Sequence, residues 1–322
     1  MAAGCVIGVD LGGTKLLAGT VDADLEVHHR TFRMARPDDT EAVIAQLVDT
    51  IEEGREAAPS EVLGVGLGVP GLVDPDTGVV ADSNHLPLAG VALRDVLAER
   101  VGLPVAIDND GNMAMRAESR RGAARGARDA VLLTIGTGIG GGLLVGGRIA
   151  HGARGAAGEL GHMIVDADGP PCPGRCPNHG CLEALVSGHA LGIEGARVAA
   201  ERPDSALREA SERGDRITGL LVTELALAGD EAARAVVVKM GAKLGLGIVT
   251  LANVFNPEVV VVGGGAIGAG ELLLAPAREV VAARALPISR AGLRIVATHF
   301  GAEAGMVGAA CMALEAAGIA VS

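Results

Sequence analysis

The apolar positions of this chain fall into a pattern that occurs twice. "CVIGVD" (5–10) and "LLAGTVDA" (16–23) are β-branched, apolar runs joined by the tight turn "LGGTK" (11–15), and they read as two strands. A third strand, about Glu26–Met34, completes a β-meander. Between 40 and 57, Val43, Leu47, Val48 and Ile51 fall on one side of an amphipathic helix. "VLGVGLGVPG" (62–71) is a buried strand entering a Gly/Pro turn, and "ALRDVLAERVG" (92–102) is a helix stopped by Gly102. "PVAIDND" (104–110) is a strand with a polar end, and "GNMAMRAESRRG" (111–122) begins the next helix.

The second half restarts the same programme. "DAVLLTIGTGIGGGLLVGGRIA" (129–150) is again strand, glycine turn, strand, and "PEVVVVGGGAI" (257–267) is a strand entering a glycine turn. Residues 201–216 are charged and read as a surface helix with a turn. A last helix, about 303–317, carries Met306, Ala310, Leu314 and Ala317 on one face. The expected fold is α/β with two lobes around a central cleft. Residues 1–111 with the C-terminal 303–322 form the smaller lobe, and 112–302 the larger.

Composition narrows the function. Of 322 residues, 49% are apolar but only 1% aromatic, so the core is built from Val, Leu, Ile, Ala and Met. The net charge is −12. No basic cluster is interleaved with aromatics, which argues against nucleic-acid binding. An acidic protein acting on an anionic substrate needs backbone N–H groups and a metal ion. The N-terminus lacks a basic stretch ahead of an apolar one. The most apolar run, "VVVKMGAKLGLGIVTLANVF", carries Lys239 and Lys243, so no membrane span is expected. Cys5 and Cys311 sit alone in apolar runs and read as small hydrophobes in a reduced, cytoplasmic protein.

The glycine turns carry candidate chemistry. "DLGGTK" (10–15) and "IGTGIGGG" (135–142) both link apolar strands. Glycine lacks the Cβ that blocks a phosphate from backbone N–H groups, Thr14 and Thr137 add hydroxyls, and Lys15 adds a charge. Asp10 stands at a strand end where a carboxylate can hold a Mg²⁺-bound water. Either turn alone reads equally as a permissive hairpin. Two matched turns, with Gly264 and Gly265 in "VVGGG", point instead to a nucleotide site using Gly12, Gly13, Thr14, Gly136, Thr137 and Gly138. Neither turn is a Walker loop or a Rossmann fingerprint.

Taken in order, "GVDLGGTK", "GVGLGVPGLVD", "IDND", "LTIGTGIGGG", "GELGH", the cysteine loop ending "GCLE" and "VVVGGG" resemble the ROK family (repressors, open reading frames and sugar kinases) across essentially the whole chain. That family lies within the actin-like ATPase and sugar-kinase superfamily, with its ribonuclease H-like fold. The resemblance implies phosphorylation of a hexose at its 6-hydroxyl with ATP and Mg²⁺, in a homo-oligomer, dimer or tetramer.

The loop 159–183, "ELGHMIVDADGPPCPGRCPNHGCLE", gathers three of the five cysteines. His162, Cys172, Cys176 and Cys181 make up a closed tetrahedral Zn²⁺ set that would tie the loop down. The alternative is reduced thiols in a loop. The family's C-x-C-x₄-C pattern is C-x₃-C-x₄-C here, so Cys176 and Cys181 carry over directly and Cys172 across an insertion. His179 reads as a surface residue. Glu159 and Glu183 flank the loop, and carboxylates with an imidazole suit a rim of sugar hydroxyls. His162 can offer one ring nitrogen to zinc and the other to the sugar. By resemblance, Glu159, His162 and Glu183 hold the O1–O3 side of the sugar.

The family's catalytic aspartate falls on Asp110, with Asn109, Asn84 and Gly71 at sugar-binding positions. Asp110 reads also as an N-cap of the following helix. Gly111 departs from the family's Ala or Val. Asp108 should point the other way along its strand. The full Glu159/His162/Glu183 set most resembles the glucose kinases of the family. Fructose, mannose and N-acetylmannosamine kinases, and polyphosphate-using glucose kinases, are the alternatives. The family's repressors carry a helix-turn-helix ahead of the first strand, so a repressor is not expected. A binding protein without catalysis would lack Asp110 or the glycine turns.

Overall fold

The computed structural model describes residues 4–36, 38–83 and 86–321. The first half contains strands β1 (Cys5–Leu11), β2 (Lys15–Val21), β3 (Val27–Met34), β4 (Val62–Val69), β5 (Leu72–Val73), β6 (Val80–Asp82) and β7 (Val105–Asn109), with helices α1 (Thr40–Glu56), α2 (Leu93–Val101) and α3 (Asp110–Arg121). The second contains β8 (Ala130–Ile135), β9 (Ile139–Val145), β10 (Arg148–Ile149), α4 (Leu182–Val186), α5 (Gly188–Glu201), α6 (Ala206–Glu212), α7 (Gly219–Leu227), α8 (Glu231–Phe255), β11 (Val259–Gly263), α9 (Glu271–Arg284), α10 (Pro287–Arg290), β12 (Arg294–Ala297) and α11 (Ala304–Ala316).

The duplication is visible in the sheets. One has the order β3-β2-β1-β4-β7 and the other β10-β9-β8-β11-β12. In the first, β1, β2 and β3 pair antiparallel and β1, β4 and β7 parallel. In the second, β9 and β10 are antiparallel while β8, β11 and β12 are parallel. Each sheet is therefore a meander extended on one side by parallel strands.

The described residues pack as two compact units, Met1–Gly126 with Gly142–Gly158 and His299–Ser322, and Ala127–Gly141 with Glu159–Thr298. These units are drawn differently from the lobes expected from the sequence. Helix α3 stays in the first unit, because α11 lies along it so closely that a Cβ on Gly308 would overlap the Met113 carbonyl.

Strand alternation builds the core of the first unit. Ile7, Val9 and Leu11 face Val43, Ile44, Leu47 and Ile51 of α1. Val6, on the other face, packs with Met306, Val307, Ala310 and Leu314 of α11. The glycines of "GVGLGV" have a packing reason: a Cβ on Gly66 would overlap the Ala309 carbonyl. The strands are glycine-rich so that α11 can rest backbone against backbone. Helix ends follow their local signals. Asp39 caps α1 through Ala42 N–H, and Gly102 ends α2 at φ 64°.

In the second unit, α8 is long and apolar enough by composition to cross a membrane, with mean hydropathy 1.7, yet 56% of that stretch is buried within the protein. It packs against α4, α5, α7 and α9 as a core helix.

Candidate active site

In the first unit the chain turns a corner where β7 ends at Asn109 and α3 begins at Asp110. The cap, which the sequence leaves open for Asp110, belongs to Asn109. Its Oδ1 accepts from the N–H groups of Gly111 (2.8 Å) and Asn112 (3.2 Å). Its Nδ2 donates to the Gly71 carbonyl at 3.0 Å. One of the two amide N–H groups of Asn109 is thus committed to Gly71, and Gly71 acts through its backbone. Gly71 is tightly placed, since a Cβ there would overlap the Asp82 carbonyl. Asp110 is the first helical residue, and its Oδ1 accepts from Gly111 N–H at 2.8 Å. Asn84 lies outside the described residues.

Asp10 shares the β1 face of Val6 and Gly8, so its carboxyl turns toward α11, where it lies against Gly305. Burial, and then the charge of Asp110, push its pKa from 3.8 up to about 7. Two carboxylates that repel each other in this way form a site suited to a hard divalent cation.

Asp108 is buried. Its Oδ1 accepts from Asn109 N–H (2.7 Å) and Asn112 Nδ2 (2.9 Å). Its Oδ2 stands 2.7 Å from His151 Nε2. That hydrogen bond raises the His151 pKa. His151 was not among the sequence candidates. It lies 43 residues from Asp108, and only a lone histidine in a Gly/Ala loop marks it in the sequence.

The two glycine turns differ in detail. In the first unit, Gly12 N–H donates to the Lys15 carbonyl (2.7 Å), leaving Thr14 and Lys15 exposed. The Lys15 ammonium lies 6.0 Å from the Phe32 ring centroid. In the second, Gly136 N–H donates to the Gly138 carbonyl (2.9 Å), and α5 contributes Gly188 N–H to the Gly136 carbonyl (2.8 Å). Gly136 and Thr137 are exposed. Gly264, at φ 82°, sits where a Cβ would meet the Ile135 backbone, and Gly265 faces open space.

The second unit brings the loop residues together. The ligand atoms of His162, Cys172, Cys176 and Cys181 all lie within 4.8 Å of one another. Cys172 Sγ is 3.4 Å from His162 Nδ1, and Cys176 Sγ is 3.9 Å from Cys181 Sγ. Tetrahedral Zn²⁺ with bonds of about 2.3 Å to sulfur and about 2.0 Å to nitrogen would separate its ligands by about 3.5–3.8 Å. The set fits zinc. Burial raises the Cys172 and Cys181 thiols, while the Asn178 backbone N–H lowers Cys176. Short antiparallel bridges at Ile164–Cys181 and Pro171–His179 frame the knuckle.

With Nδ1 toward the thiols, His162 has its Nε2 3.7 Å from Glu159 Oε2. Burial raises the Glu159 pKa; His162 opposes this and the charge of Glu183 adds to it. Glu183 sits in the first turn of α4, two residues after Cys181 at the cap, and its Oε2 accepts from Ile139 N–H at 2.7 Å. One carboxylate thereby ties the cysteine loop to the start of β9, just after the second glycine turn. A separate cavity of about 610 Å³ beside Cys172, between α5 and α8, includes neither Glu159 nor Glu183.

The ROK family pattern matches residues 6–316. The chain belongs to the ROK family. It is 34% identical to a glucokinase of Halalkalibacterium halodurans over 94% of this chain and 92% of that protein. It resembles the crystal structure of a ROK family glucokinase from Streptomyces griseus in complex with glucose and AMPPNP, with TM-score 0.86 and 33% identity, covering 97% of this chain and 100% of the other. A xylose repressor of Caldicellulosiruptor bescii is 30% identical over 97% of this chain but only 78% of its own length. The fold of this ROK protein is the duplicated α/β fold of the sugar kinases.

Proposed function

We propose that this ROK protein is a glucokinase, transferring the γ-phosphoryl group of ATP to the 6-hydroxyl of glucose. The observation that carries this reading is the β7–α3 corner. Asn109 takes the cap, so Asp110 stands at the helix start as a carboxylate beside Asp10. Asp110 aligns the 6-hydroxyl for in-line attack and accepts its proton. Asp10 holds the Mg²⁺ that offsets charge on the phosphates, and the turns at Gly12–Thr14 and Gly136–Gly138, with Lys15, Gly264 and Gly265, cradle the nucleotide.

Glu159, His162 and Glu183 take the hydroxyls on the O1–O3 side of the sugar. Asn109 contributes its second amide N–H, and Asn84 and Gly71 complete the sugar contacts. His162, Cys172, Cys176 and Cys181 hold a structural Zn²⁺, which fixes the His162 ring so that Nε2 faces the substrate. Five cysteines without a disulfide, three of them poised for metal, accord with the reducing cytoplasm. Val254, Leu286 and Ile288 expose apolar surface on the second unit, which accords with a homo-oligomer. We infer that the two packing units are the two lobes of the kinase.

A coupled assay over glucose, fructose, mannose and N-acetylmannosamine, with ATP and polyphosphate in parallel, tests the reading. Glucose with ATP should give the highest kcat/KM. Binding of glucose without turnover would favour a non-catalytic sensor instead.

A further inference from the structure

Asp108 anchors Asn109 and Asn112, which stand on either side of Asp110 in the chain. Its Oδ1 holds the Asn109 backbone and the Asn112 side chain, at 2.7 and 2.9 Å. Asn109 in turn holds Gly111, Asn112 and Gly71. The direction of the Asp110 carboxylate therefore depends on one buried carboxylate, which is itself a charge two residues from the base. His151 answers that charge from the loop after β10, with 26% of its side chain exposed. The same loop is pinned again at Gly155, where a Cβ would overlap the Val73 carbonyl, and it runs directly into Glu159.

We propose that His151 is a positioning residue for the phosphoryl-transfer reaction: acting through Asp108, it locks the β7–α3 corner and neutralises the buried charge beside Asp110. The inference rests on the reading of Asp110 as base. The charged groups that face His151 are Asp108, from β7, and Arg116, from α3. The first raises the imidazole pKa and the second lowers it, with a net rise. The protonated pair persists to higher pH than a free imidazole would and is lost as pH rises through that raised value. Above it a neutral imidazole still donates to Asp108 but no longer balances its charge.

The test measures kcat, KM for glucose and for ATP, and Tm for wild type, His151→Phe, His151→Gln and Asp110→Asn between pH 6 and 9. His151→Phe should lower kcat roughly 10-fold or more, the scale of a small misalignment, with KM for ATP unchanged. His151→Gln keeps a donor without a charge. Its kcat at neutral pH should lie above that of His151→Phe, at the level wild type reaches on its alkaline limb, and it should lose the alkaline fall in kcat that wild type shows. Wild-type kcat in His151→Phe overturns the proposal. So does a kcat loss that His151→Gln fails to restore and that follows Tm alone. Should His151→Phe not fold, an alkaline limb identical in His151→Gln and wild type overturns it. Near-normal kcat in Asp110→Asn refutes the base assignment itself, whatever the His151 variants do.

Discussion

Asp10→Asn should stabilise this protein and inactivate it, and the stabilisation should depend on pH in a defined direction. Burial and Asp110 raise the Asp10 pKa from 3.8 to about 7. In the unfolded chain the group ionises at its ordinary value. Between these two pH values folding requires a proton to be taken up, so the carboxyl's cost is absent below about pH 4, grows through neutrality and is complete above pH 7. At about 1.4 kcal/mol for each pH step, the full cost is about 4 kcal/mol. This is an upper limit, because the N-terminus of α11 at Gly305 favours a negative charge there. Asparagine removes the charge and keeps the shape. In Mg²⁺-free buffer, without chelator so that zinc stays in place, Asp10→Asn should exceed wild type by at most about 1.7 kcal/mol at pH 5. At pH 9 the variant should be more stable by up to about 4 kcal/mol. Phosphorylation activity should fall in the same variant, since Mg²⁺ loses its carboxylate. A stability difference independent of pH, or an Asp10→Asn protein less stable than wild type at pH 9, would refute the reasoning.

Two further outcomes follow from the second unit. Cys181→Ser should lose stoichiometric zinc by elemental analysis, lower Tm and raise KM for glucose, because the loop positions Glu183; unchanged zinc content, Tm and KM would remove the metal from the account. Glu183→Gln keeps an acceptor for Ile139 N–H, so Tm should hold while KM for glucose rises and kcat changes little; loss of kcat at unchanged KM would transfer the proton-accepting role to Glu183.

Much of this was legible along the chain, because it depends on local spacing. Strand alternation places Val6 and Ile7 on opposite faces, and Gly102 ends its helix where a left-handed residue is needed. His162, Cys172, Cys176 and Cys181 lie within twenty residues and converge as their types suggest. What was not legible depends on partners distant in sequence. The packing role of the glycines at 66 and 308 depends on α11 resting against β4 and α3, elements far apart in sequence. The cap at Asn109 rather than Asp110 turns on one backbone angle, which neighbouring polar residues share equally by type. The Asp108–His151 pair joins a strand to a loop 43 residues away. The unit boundaries, which the chain crosses repeatedly, follow packing rather than sequence order.

The most direct test of the central claim follows glucose 6-phosphate formation from ATP by wild type and Asp110→Asn, with zinc content and nucleotide binding measured on the same samples. The account predicts that kcat falls roughly 10²-fold or more, the scale of lost acid–base catalysis, while zinc and nucleotide affinity are unchanged, since no ligand to either is altered. An Asp110→Asn enzyme with kcat close to that of wild type would contradict it.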